Sequence, residues 1–170
     1  MTTLAEAAAQ ADDLAKQGGA ERQLADLRTQ WGDELEAAAR SRDFRERAVA
    51  YRAIGQFRFR QKIELLRRGL EDESPAARGS ALLSLELLSR DSPGFINAVR
   101  PLLHELVNSD PNEAVRRLAV VCLRHGSPQR ETIALLSALG EDDEQSRELR
   151  QAASKVSDEL RKRAGPRGRS

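Results

Sequence analysis

The sequence predicts an all-α fold built from repeated helical hairpins, and three observations carry that reading. Ala, Glu, Lys, Leu and Arg supply 92 of the 170 residues, a composition that marks long-helix and all-helical chains. No window alternates polar and apolar residues, and no β-branched run exceeds Val120-Val121, so no strand is expected. One pattern of acid, arginine, alanine and leucine recurs along the chain at intervals of 31 to 38 residues, the period of stacked helical hairpins.

Each helix has a local justification. Leu4, Ala7, Ala8, Ala11 and Leu14 form a weak stripe over 3–17 that Gly18-Gly19 interrupts. A second stripe, Leu24, Leu27, Trp31, Leu35 and Ala38, marks 20–40 as helical by its spacing. Asp43-Phe44-Arg45-Glu46 has capping-box spacing and opens a helix over 43–54. A continuous helix is expected over 57–71, with Phe59, Ile63, Leu66 and Leu70 as its buried stripe. Ser74-Pro75, Ser92-Pro93, Asp110-Pro111 and Ser127-Pro128 each pair a cap acceptor with a proline, which has no N–H to lose in the first turn. They start helices expected over 75–90, 93–108, 111–125 and 128–139. A last helix is expected over 143–163. Gly55, Gly126 and Gly140 are expected as the glycines that end helices.

The repeat aligns Asp72, Arg78, Ala81 and Leu85 with Asp110, Arg116, Ala119 and Leu123 at every interval. A third copy runs Glu144, Arg150, Ala153, and a degenerate one Ser41, Arg47, Ala50, Ile54. This pattern resembles the first helix of a HEAT repeat, of the short bacterial HEAT-like type. Ile63…Leu70, Leu102…Val107 and Leu135…Leu139 resemble the second helix. The resemblance implies a short right-handed α-solenoid of about 3.5 hairpins over 41–163, with second helices lining a concave face. Residues 1–40 then form a helical extension or cap, and 164–170 a disordered basic tail. The resemblance also implies a structural ladder of Arg47, Arg78, Arg116 and Arg150, with Asp72 and Asp110 as partners.

Charge is nearly balanced over the chain, at +1, but residues 40–70 hold ten basic and three acidic side chains. Arg58, Arg60, Lys62, Arg67 and Arg68 concentrate within one expected helix, and Arg100, His104 and Arg130 lie on the next second helices. These eight are the candidate partner contacts. Catalytic, cofactor and metal residues are expected to be absent. One cysteine excludes an internal disulfide, two histidines leave little for metal or acid–base chemistry, and no phosphate-cradling glycine loop or nucleophile elbow occurs. His104-Glu105 is a single pair where a two-metal site needs several. Cys122 and His125 are expected to be a buried small hydrophobe and a helix-end cation.

The start of the chain lacks the cationic and apolar pattern of a secretory signal. No segment approaches the roughly 18 apolar residues of a membrane span, so a cytoplasmic setting is expected. The expected function is a non-enzymatic interaction module that binds a protein partner along its concave face. Two alternatives stay open: phosphate contacts to nucleic acid through 40–68, and an accessory role in an enzyme such as a HEAT-like lyase. Partner identity and oligomeric state are not legible.

Overall fold

A computed structural model describes residues 1–165. Among them are nine α-helices and no strand: α1 (Leu4–Gln17), α2 (Glu21–Ala39), α3 (Phe44–Gln56), α4 (Ile63–Leu70), α5 (Pro75–Ser89), α6 (Pro93–Ser109), α7 (Glu113–Leu123), α8 (Arg130–Gly140) and α9 (Arg147–Ala164). A short 3-10 turn, Arg60–Lys62, precedes α4. Two compact units divide between Leu88 and Ser89. Of the tail expected over 164–170, Ala164 closes α9 and Gly165 follows it; the remainder lies outside the described residues.

In the first unit α1 and α2 pack on each other and both pack on α3. The alanine-rich face of α1 is what permits this. Ala7, Ala8 and Ala11 are almost wholly buried beside Leu4, and side chains this small let two helix backbones approach closely. Thr3 caps α1 by accepting the Glu6 N–H, and Gly18-Gly19 turn the chain with φ of 79° and 74°. Leu24, Leu35, Ile54, Phe57, Leu66, Leu70, Leu82 and Leu85 fill the core of this unit. In the second unit α6 packs on α7, and α9 packs on α7 and α8. The stripe read on the last helix, Leu149, Ala153, Val156 and Leu160, is buried throughout, as is Cys122.

Several boundaries differ from expectation. The helix expected over 57–71 is broken: residues 57–59 form a turn, the 3-10 segment follows, and α4 starts only at Ile63. Phe57, not Phe59, is the aromatic ring that is fully buried. Ser74-Pro75 does start α5, with the Ser74 hydroxyl accepting the Ala77 N–H. The prolines at 111 and 128 stand directly before the N-caps, two positions ahead of the first helical residue. Asn112 and Gln129 are the N-caps of α7 and α8, and Asn112 accepts the Val115 N–H. The last helix begins at Arg147, capped by Ser146.

Of the three glycines expected to end helices, Gly140 does close α8, whereas Gly55 lies inside α3 and Gly126 follows the turn after α7. None has a positive φ; each sits where another chain segment comes too close for a Cβ. Gly55 lies inside α3, and a Cβ there would meet the Ser84 Cα at 2.7 Å. The Ser84 hydroxyl accepts the Gly55 N–H at 2.9 Å and donates to the Tyr51 carbonyl, so α5 is pinned to the α3 backbone itself. Gly126 faces Ile96 and Gly140 faces Ser154 in the same manner.

Gly55→Ala should therefore lower stability by about 1–3 kcal/mol, the ordinary cost of overpacking. Gly94→Ala is the control, because nothing lies within 4 Å of its Cβ position; it should be neutral or gain up to about 1 kcal/mol. Urea unfolding of the two variants checks both signs.

Candidate partner-binding surfaces

One device recurs at the start of each repeat. A side-chain oxygen accepts the backbone N–H two residues on: Ser41 from Asp43, Asp72 from Ser74, Asp110 from Asn112 and Asp142 from Glu144, at 2.9–3.1 Å. Sequence alignment put Glu144 in the last of these positions; the structure puts Asp142 there.

The arginine of each repeat then ties its helix to this turn or to the following repeat. Arg47 reaches Asp72 with both arms of its fork, Nε at 2.8 Å and Nη2 at 3.0 Å, while Nη1 donates to the carbonyls of Ser41 and Arg42. Arg78 likewise donates from Nη1 to two carbonyls, those of Asp72 and Glu73. Arg116 donates to the Val107 carbonyl and to Gln145, which in turn donates to Asp142. Arg150 meets Asp143 at 3.4 Å. Burial pushes the Asp72 carboxyl up, but the Arg47 hydrogen bonds, the Ser74 N–H and the nearby arginine charges outweigh it and hold the group below the usual carboxylate range.

Two of the basic residues in 58–68 are drawn inward by the N-terminal helices. One face of α2 docks on the turn after α3 at helical spacing. Arg28 donates to the Phe57 carbonyl at 2.9 Å, Gly32 lies against the Phe59 ring, and Glu36 pairs with Lys62 at 2.5 Å. The Lys62 ammonium also lies 4.7 Å from the centre of the Phe59 ring. Arg58 pairs with the buried Asp12 of α1 at 2.8 Å. Burial raises the Asp12 carboxyl, and the hydrogen bonds from Lys16 and Arg58 bring it below its ordinary value. Arg60 and Arg68 are exposed. Arg67 is partly buried and meets Glu64 at 3.5 Å. With the helix broken at 57–62, Arg60 and Arg67 do not share one helical flank.

In the second unit Arg100 is buried, at 5 % exposure. Its hydrogen-bond acceptors are all neutral: Thr132 Oγ1 at 2.7 Å, the Ser127 carbonyl at 3.1 Å and the Asn97 side chain. Burial accordingly pushes its guanidinium pKa down, against the attraction of Glu131. The His104 Nε2 lies 2.9 Å from the same Thr132 oxygen. That oxygen, with two lone pairs and one proton, can accept from both Arg100 and the imidazole or donate to the imidazole, according to the His104 tautomer. Arg130 is exposed at the start of α8. Among the described residues no group of three or more His, Cys, Asp or Glu could hold a metal ion.

Residues 32–105 match the family model for HEAT repeats. These residues carry HEAT repeats. No curated protein and no solved structure matches the sequence. The matched region of HEAT repeats opens inside α2 and runs into α6, so the family pattern reaches into the segment that sequence reading set apart as an extension.

A surface that the sequence did not reveal lies in the first unit. A groove of about 700 Å3 runs between the ends of α1, α2 and α3, lined by residues that include Leu4, Glu34, Ala37, Ala38, Glu46 and Val49. Phe44 and Val49, at 43 % and 37 % exposure, are the large exposed apolar residues of α3. The Arg45 guanidinium lies over the Phe44 ring at 5.4 Å. The exposed Val49 was visible in the sequence as an apolar residue of α3, but without the α1 and α2 walls that give it meaning.

Two expectations follow from the Arg100 network. Thr132→Val keeps the shape but leaves an Arg100 donor unmet, and should destabilise by about 1–3 kcal/mol. Burial holds the His104 pKa below its ordinary 6.5, with Arg100 lowering it further and Glu131 opposing. The unfolded chain therefore binds the proton first, and stability falls as pH drops through about 6.5. Urea midpoints at pH 7.5 and 5.5 should differ more for the native protein than for His104→Gln, with His125 kept in both.

Proposed function

We propose that the chain is a non-enzymatic interaction module whose HEAT repeats present the α1–α2–α3 groove to a protein partner. The observation that carries this reading is the groove itself, walled by three helices and lined by Leu4, Ala37, Ala38 and the exposed Val49. Contiguous exposed apolar surface rimmed by polar groups marks interaction sites. Glu34, Glu46 and Arg45 supply a rim of both signs, suited to a partner that inserts an apolar side chain between charged neighbours. The concave-face contacts expected from sequence are narrowed accordingly. Arg58, Lys62 and Arg100 serve the module's own packing, and Arg60, Arg68 and Arg130 remain as contact candidates. No helix among the described residues is long and apolar enough to cross a membrane.

A second reading rests on the exposed Arg40, Arg42, Arg45, Arg60 and Arg68, all within 40–68. Phosphate contacts from these would bind nucleic acid with steep salt dependence.

One comparison separates the two. Immobilised native protein, Val49→Glu and Arg60→Glu/Arg68→Glu are used to capture partners from a host extract, and each is titrated with a labelled duplex at rising salt. Val49→Glu changes an exposed site and should move stability by no more than about 0.5 kcal/mol. A protein captured by the native chain and lost with Val49→Glu is the expected result. Duplex binding that is lost only in the arginine variant, with no capture sensitive to Val49, would replace the first reading with the second.

A further inference from the structure

Two hollows meet on α3. The α1–α2–α3 groove is one of them. The other, of about 330 Å3, lies toward α5 and is lined by Ala5, Ala48, Val49, Arg52, Gln56 and Ser80. Ala5 and Val49 line both. The two therefore form one continuous surface within the first unit, joined at the exposed Val49.

Arg52 distinguishes this surface from an ordinary seam between helices. The residue is half-buried, and its Nη1 is shielded from solvent without an acceptor. Shielded nitrogens of Arg100 and Arg150 also lack acceptors, but other atoms of those two guanidinium groups are bound. The Arg52 guanidinium has no hydrogen bond or ion pair with any described residue. A shielded donor left unmet carries a desolvation cost that an incoming acceptor offsets.

The charged residues lining the joined surface are Glu34, Arg45, Glu46 and Arg52. Two of each sign sum to zero, but the signs are segregated. Arg52 alone lines the hollow toward α5, while Glu34, Glu46 and Arg45 line the groove, with a net charge of −1. Glu46, Val49 and Arg52 follow one another at three-residue intervals along α3, a rise of about 4.5 Å each. A second helix laid along α3 offers side chains three or four residues apart at matching spacing.

We propose that this surface receives an amphipathic helix of a protein partner. An apolar side chain of that helix sits at Val49, and an aspartate or glutamate one turn away meets Arg52. A carboxylate accepts from a guanidinium in short, charge-assisted hydrogen bonds. A basic residue one turn to the other side faces Glu34 and Glu46. One unmatched cation beside an apolar residue suits a single carboxylate better than a polyanionic backbone. Resting on the groove reading, this assignment adds the chemistry of the occupant.

The test is selection from a displayed library of helical peptides of about 18 residues, long enough to hold a helix. The full chain, Arg52→Glu and Val49→Glu are the targets. Peptides recovered on the native chain should pair an apolar residue with Asp or Glu three or four positions away. Selection on Arg52→Glu should exchange that acid for Lys or Arg. By fluorescence anisotropy, a recovered peptide should bind Arg52→Gln at least tenfold more weakly, the loss expected for a charged hydrogen-bonded pair. Arg52→Lys, which keeps the charge without the fork, should fall between. Urea midpoints of the Arg52 variants should stay close to the native value, because the guanidinium ties no other described residue; this separates a lost contact from a folding defect. Peptides that need Val49 but carry no acid, and bind Arg52→Glu unchanged, overturn the assignment and leave the groove reading standing. Absence of any peptide sensitive to Val49→Glu overturns both. A labelled duplex and sedimentation of the chain alone complete the test. Duplex binding lost in Arg52→Glu, or a dimer dissolved by it, assigns Arg52 to nucleic acid or to a second copy and overturns the partner helix.

Discussion

The turn that opens each repeat is the constraint on which the rest of the structure depends. An oxygen at positions 41, 72, 110 and 142 holds the backbone N–H two residues later, which fixes the path of the chain into each first helix. In the first three repeats the buried alanine then follows at a constant distance, as Ala50, Ala81 and Ala119, all fully buried. The helix-bound arginine also follows at a constant distance, as Arg47, Arg78 and Arg116. A side chain as short as alanine is useful for packing only if it faces the neighbouring helix. The turn sets that facing. In the last repeat the turn residue lies two positions further upstream, and Ser146 supplies the cap instead. Ala153 remains buried, but Arg150 meets Asp143 in a looser ion pair.

Much of the helical layout was legible because its signals are local. Apolar spacing, the Asp43 and Ser74 caps and the repeat of Arg and Ala each act within a few residues of the feature they specify. The errors arose where a local signal admits two meanings. A glycine after an apolar stripe reads as a helix end, yet α3 runs on past Gly55, and Gly55, Gly126 and Gly140 all stand where residues 14 to 30 positions away leave no room for a Cβ. A proline after an acceptor reads as a first-turn residue. At Pro111 and Pro128 the helix starts later, because Asn112 and Gln129 occupy the cap positions.

The basic segment was misread as a helix for a different reason. No glycine or proline announces the break at 57–59. Arg58 takes a left-handed conformation because its side chain is held by Asp12 and by the carbonyls of Gly55 and Gln56. The carboxylates that recruit Arg58 and Lys62 belong to α1 and α2, upstream of the first Arg–Ala copy at 41–54. A run of like charge in sequence is thus partly neutralised by residues 26 and 46 positions distant. The same helices supply walls to the groove, so that surface does not exist in the Arg–Ala copies alone.

Cys122 is fully buried among α7 residues, and it is the chain's single cysteine. A thiol reagent can reach its sulfur only when the second unit opens. The rate of its labelling is therefore a clock for fluctuations of residues 89 onward, and it is silent for the first unit, which contains no thiol. Comparing that rate with global unfolding would reveal whether the two units breathe together or one at a time.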